Sequence, residues 1–136
     1  MFCLAFMLIQ ITAPIERPPI DLERSVWAHS FCLSPEGAKL ALVGYLREGN
    51  WAVWGVADKK LCASGRMKVV GAHAVVFSKN GKELVVGGDA LIDAGVLRAE
   101  LRILDVESGR ELAALDGHRA SVTQLAVLPG GKHLVS

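Results

Sequence analysis

Along residues 101–136 the apolar positions fall into short runs divided by turn residues. Leu101 and Ile103 alternate with Arg102, the period of a strand with one face more apolar than the other. Glu107-Ser108-Gly109-Arg110 follows with turn chemistry, since Ser hydrogen-bonds local backbone and Gly tolerates positive φ. Residues 112–115 make a second apolar run, ended by Asp116-Gly117-His118. Residues 122–128 make a third, which Pro129-Gly130-Gly131 turns into His133-Leu134-Val135-Ser136. Strands this short, with turns this regular, predict an all-β repeat rather than helices.

The same phase recurs upstream. Ser34-Pro35-Glu36-Gly37, Ser78-Lys79-Asn80-Gly81 and Leu128-Pro129-Gly130-Gly131 occupy one structural position. Each follows an apolar strand and precedes a Lys-containing apolar strand. The first two lie 44 residues apart and the second and third 50 apart. Trp54-Gly55-Val56 likewise lies 50 residues before Leu104-Asp105-Val106. Periods of about 40–50 residues with four strands each mark propeller blades.

Within this frame Gly117-His118, Val122, Leu125-Ala126-Val127, Pro129, Gly131-Lys132 and Leu134-Val135-Ser136 resemble the opening half of a WD repeat. Residues 104–110 resemble the closing half, with Leu104 where the family usually has Trp. The resemblance covers residues 27–136. It implies an all-β fold of WD-repeat-like propeller blades, each a four-stranded antiparallel sheet, in an incomplete ring. The family often ties each blade with a loop His, a Ser or Thr on the second strand, a turn Asp and a Trp. By that resemblance Trp54, Asp105, Gly117, His118 and Ser136 are the repeat-motif residues. Trp54 keeps the Trp but Gly55 replaces the Asp, whereas Asp105 keeps the Asp without the Trp. His118 and Ser136 match the first two members of the set and are expected side by side. His29 and His73 look like the loop His but align with Thr123, so they are expected on strands. Degenerate repeats of this kind are held mainly by apolar packing.

The rest of the chain is divided accordingly. Residues 1–13 are apolar but too short to span a bilayer as a helix, which takes about 20 residues. They read as a targeting segment, making the protein exported rather than cytoplasmic, as a strand on a blade edge, since Ile9-Gln10-Ile11-Thr12 alternates, or as a disordered leader. Residues 14–25, with Pro14, Pro18 and Pro19 among charges, read as an extended linker. Blades follow at about 26–65 and 66–115, and a half blade at 116–136. Strands are expected at 27–33, 39–43, 50–54 and 61–63 of the first. The interval from Gly81 to Leu104 exceeds that from Gly37 to Trp54 by six residues, which fall within 89–99. This segment is expected to project from the sheet edge between the second and third strands of its blade, its competing readings being a lengthened hairpin or a helical turn packed on the sheet. Leu91, Ile92, Val96 and Leu97 are its candidate partner contacts. Trp51 is another, with ordinary packing between blades as its competing reading.

Composition narrows the function. The 136 residues carry a formal net charge of +1, with basic residues scattered, which gives no footprint for nucleic acid or anionic membrane. Hydrophobic content is 51%, as expected of sheets buried on both faces. Three Cys make no disulfide framework, and Cys32 and Cys62 are expected as packed free thiols. The four His have no ligand spacing. Asp89 and Asp93 share a loop but lack a liganding frame. No catalytic residue, cofactor or metal site is assigned.

The reading is a non-catalytic protein–protein interaction scaffold. Its rivals are a module of a larger enzyme or sensor whose active domain lies elsewhere, and a fragment with no role of its own. Two and a half repeats cannot close a ring of roughly 4–8 blades. The isolated chain is therefore expected to self-associate.

Overall fold

Among the described residues the alternation and turn chemistry produce ten strands and no helix. The computed structural model describes residues 25–46, 49–67, 71–92 and 96–136. The apolar leader, and the linker up to residue 24, lie outside them. β1 (Ser25–Leu33), β2 (Lys39–Leu46), β3 (Gly49–Gly55) and β4 (Leu61–Gly65) form an antiparallel sheet in chain order. β5 (Gly71–Phe77), β6 (Glu83–Ile92), β7 (Val96–Asp105) and β8 (Glu111–His118) form a second. β9 (Ala126–Val127) and β10 (Leu134–Val135) form a two-stranded third. The sheets stay separate and open, as incomplete blades would.

One turn is built three times. The amide of Gly37 donates to the Ser34 carbonyl at 2.8 Å, that of Gly81 to Ser78 at 2.9 Å and that of Gly131 to Leu128 at 2.9 Å. The glycines take φ of 71°, 68° and 74°, a left-handed conformation that costs other residues about 1–2 kcal/mol. Ser34 and Ser78 also accept amide protons from Lys39 and Glu83, each at 3.0 Å, a bond that Leu128 cannot make.

The sheets stack in one sense, which gives each a front, toward the next sheet, and a back. Ala41, Val43, Trp51 and Val53 on the front of the first pack against Val75, Phe77, Leu84, Val86 and Leu104 on the back of the second. Ala74, Val85 and Leu101 on the front of the second pack against Val122, Leu125 and Leu134 of the third. Both faces of the second sheet are thus buried along β5, β6 and the described part of β7, while β8 is exposed, which accounts for runs such as Val75-Val76-Phe77. The back of the first sheet carries a further cluster, Leu42, Leu46 and Ala52 with Leu40 and Trp54.

The second repeat takes up its extra residues by lengthening the ladder rather than by projecting a loop from the sheet edge. β6 and β7 pair without a shift from Glu83↔Asp105 to Ile92↔Val96. Both strands are extended from the hairpin end, so the pairing nearer the turn at Gly81 keeps its register and no side chain there changes face. The segment is a lengthened hairpin whose tip, residues 93–95, lies outside the described residues.

The hairpins β3–β4 and β7–β8 solve the same turn differently. Gly109 takes φ 69° in the second, and its equivalent in the first is Lys59, the one described non-glycine residue with positive φ, at 57°. Replacing Lys59 with Gly is expected to raise stability by about 1 kcal/mol, because Gly enters that region without a Cβ clash. A higher urea midpoint for the variant checks this, and an unchanged or lower one contradicts it.

Candidate interaction surface

β1 and β5 each hydrogen-bond to a neighbour on one side only, and their free edges converge with β9. Between them opens a cleft of about 460 Å³. It is lined by residues 30–32 of β1, 74–76 of β5 and 123–126 at β9, with Val135 and Ser136. Ser30, Ala74 and Gln124 are one repeat position, and Cys32, Val76 and Ala126 another. The cleft is therefore what three inner strands make when one repeat position is presented three times. Its lining is uncharged: apolar groups from Phe31, Val75, Val76, Leu125 and Val135, with hydroxyls from Ser30, Thr123 and Ser136 and the Gln124 amide. Apolar walls with a few placed polar groups, beside unpaired strand edges, suit an extended polypeptide.

Next to this cleft lies a polar cluster that sequence spacing did not suggest. β1 and β5 each carry a register shift, between Ala28 and Ser30 and between Ala72 and Ala74. The extra residues are His29 and His73, and the residues opposite are Gly44 and Gly88, again 44 apart. A Cβ at Gly44 would run into the Trp27 carbonyl oxygen, and one at Gly88 into that of Gly71. Glycine thus permits the bulge, and the bulge re-aims the histidine. The imidazoles stack with centroids 5.1 Å apart and planes 18° apart, and Tyr45 meets the edge of His29 at 5.3 Å. His29 Nδ1 donates to the Ala72 carbonyl at 2.9 Å, and His73 Nε2 donates to Asp89 Oδ2 at 3.0 Å. Those acceptors place the protons on those nitrogens. Asp89 Oδ1 is buried and has no hydrogen-bond partner among the described residues. The cluster ties β1 to β5 and β6 across the first two sheets. The readable signal was the pair Gly44 and Gly88 in phase with the two histidines.

The repeat-motif residues are distributed unevenly. His118 Nε2 lies 2.7 Å from Ser136 Oγ, which joins the end of β8 to the end of the third sheet. Gly117 takes φ 129° just before it. His29 and His73 sit on strands, as expected, whereas Thr123 at the same repeat position precedes β9. Trp54 packs with Leu42 on the back of the first sheet. Asp105 Oδ1 accepts from the Ser108 amide at 2.7 Å and the Ser108 hydroxyl at 2.6 Å. The corresponding Gly55 leaves room for Asp58, whose Oδ1 accepts from the Lys60 amide at 3.1 Å. The turn carboxylate has moved three residues along the chain.

The hydroxyl and amide bonds from Ser108 hold the Asp105 carboxyl below its ordinary value. A depressed native value means that the bonds contribute above the ordinary carboxylate range and fade as pH falls through it. Asp105→Asn is expected to flatten the acid limb of the stability curve, measured by urea unfolding from neutral pH downward. An unaltered acid limb contradicts this.

The candidate contact residues part company. Trp51 is 2% exposed, and its indole fills the space left by Gly65 and Gly109, so it packs between sheets and presents no surface to a partner. Leu91, Ile92, Val96 and Leu97 pair across the far end of the β6–β7 hairpin. The most exposed large apolar side chains among the described residues, Trp27, Phe31, Leu33 and Tyr45, are ones that sequence reasoning passed over. Arg102 makes ion pairs with Glu100 and Glu111 on β7 and β8. Cys32 and Cys62 are free thiols, Cys32 half-buried and Cys62 exposed.

No group of three or more His, Cys, Asp or Glu among the described residues could hold a metal ion. No helix among them is long and apolar enough to cross a membrane. The class defined by fold and surface is a stack of antiparallel sheets around a cleft of inner strands. No protein-family model matches the chain, and no curated protein matches it.

Proposed function

We propose that this chain is a non-catalytic protein-interaction scaffold built from WD-repeat-like blades, with the inner-strand cleft as its recognition surface. The observation that carries the reading is the lining of that cleft by one repeat position from three successive inner strands. Such a lining offers rigid, uncharged walls and unpaired strand edges, which favour an apolar extended segment of a partner. The polar cluster at His29 and His73 serves the scaffold by fixing β1 against β5.

A photo-crosslinking residue at Gln124 tests this in cells. The reading expects discrete cross-linked proteins that disappear when Ser30→Trp, at a half-buried position of the lining, fills the cleft. Products identical to those from a probe at Glu111, on the outer strand β8, would contradict it.

A further inference from the structure

The two complete sheets bury corresponding faces unequally. On the back of the second, Phe77↔Leu84↔Leu104↔Glu111 form one row across all four strands. Phe77, Leu84 and Leu104 are 3%, 0% and 2% exposed, covered by the front of the first sheet. The matching row on the first sheet is Leu33↔Leu40↔Trp54↔Leu61, apolar from end to end. Here Leu33 is 54% and Leu61 40% exposed, and Leu40 and Trp54 are half-buried.

The rim repeats the asymmetry. A Cβ at Gly81 would lie 3.1 Å from Glu36 of the preceding turn, and one at Gly131 2.6 Å from Lys79 of the turn before it. A Cβ at Gly37 would meet nothing within 4 Å.

The complementary surface is on the third sheet. The front pair that covers the next sheet is Cys32↔Ala41 in the first sheet and Val76↔Val85 in the second. In the third it is Ala126↔Val135, and both residues are exposed, Val135 by 50%.

We propose that the back of the first sheet docks the front of the third sheet of a second copy, so that copies join head to tail. This rests on the scaffold reading, since both treat the sheets as units of one repeat. The occupant is argued from the chain itself, because the second sheet shows what this face binds: the front of a neighbouring sheet of the same repeat. Front and back differ, so the contact is heterologous, and it closes into a ring or grows.

Sedimentation velocity over a concentration series, with variants that block one face each, tests it. Leu33→Asp with Leu61→Asp charges the back without touching the cleft. Ala126→Asp with Val135→Asp charges the front. Wild type is expected to gain mass with concentration, and each variant alone to stay monomeric. An equimolar mixture is expected to form a dimer and stop there, since one open back meets one open front. Leu112→Asp, on exposed β8, is expected to associate as wild type does. Far-UV circular dichroism checks folding, and Leu33→Ser with Leu61→Ser, expected to weaken association, serves where the charged pair unfolds.

A back variant that associates like wild type, a front variant that still dimerises, or a mixture that stays monomeric overturns the proposal. So does a monomeric wild type, including one that associates only after removal of residues 1–13, which would place the leader on this face. Cross-linking from Gln124 in the back variant separates the two readings. Its persistence leaves the scaffold standing when docking fails, and its loss from a folded, monomeric back variant while wild type still associates does the reverse.

Discussion

Replacing Leu84 by Ala is expected to destabilise the protein by about 3 kcal/mol, while the same change at Leu40 costs about 1. The two residues hold one repeat position, in the second strand of the first and second sheets. Leu84 is fully buried, sandwiched between the first and second sheets, and its removal leaves a cavity whose walls are rigid strands. Leu40 is half-buried on a face that no described sheet covers, so water enters and the cavity term falls away. Urea unfolding at low protein concentration, where copies are apart, measures both. Equal losses at the two positions would mean that the back of the first sheet is covered as well as that of the second.

The second large effect is expected at a glycine. Gly44→Ala should cost about 3 kcal/mol or more, through overpacking and backbone strain together. Its φ is 150°, and a Cβ there would strike the Trp27 carbonyl oxygen and press on the amide of His29. The bulge at His29 cannot persist around that methyl, so the His29–His73 stack is lost with it. Gly37→Ala is the contrast: φ is 71° and the space is open, so only the left-handed cost of about 1–2 kcal/mol remains. Comparable losses at the two glycines would show that steric collision at the bulge is not what Gly44 avoids.

Much of the architecture can be read from the chain because turn chemistry is local. Ser34-Pro35-Glu36-Gly37 and its two counterparts announce their conformation by residue type, and their spacing fixes the phase of the sheets. Strand ends were harder. β6 and β7 absorb the insertion pair by pair, and nothing in Leu91 or Val96 distinguishes a lengthened ladder from a projecting loop.

The faces were harder still. Both sides of the second sheet are apolar, so alternation does not say which side meets which neighbour. Trp51 shows the difficulty: an aromatic residue suits a surface anchor and a core equally. What decides it is the absence of side chains at Gly65 and Gly109, residues distant in sequence whose proximity depends on the fold. The cleft was unreadable for the same reason, since its lining comes from segments 44 and 50 residues apart that converge only when the sheets stack.

Amide hydrogen exchange resolved residue by residue tests the central claim, that the chain forms three separate sheets stacked front to back. The account predicts slowest exchange in β2, β3, β6 and β7, which are paired on both sides, and faster exchange along the free edges of β4 and β8. The two-stranded sheet of β9 and β10 is expected to exchange first of all the strands. Uniform protection running through β4 into β5, with β9 and β10 as slow as β6, would reveal one continuous sheet and contradict the stack.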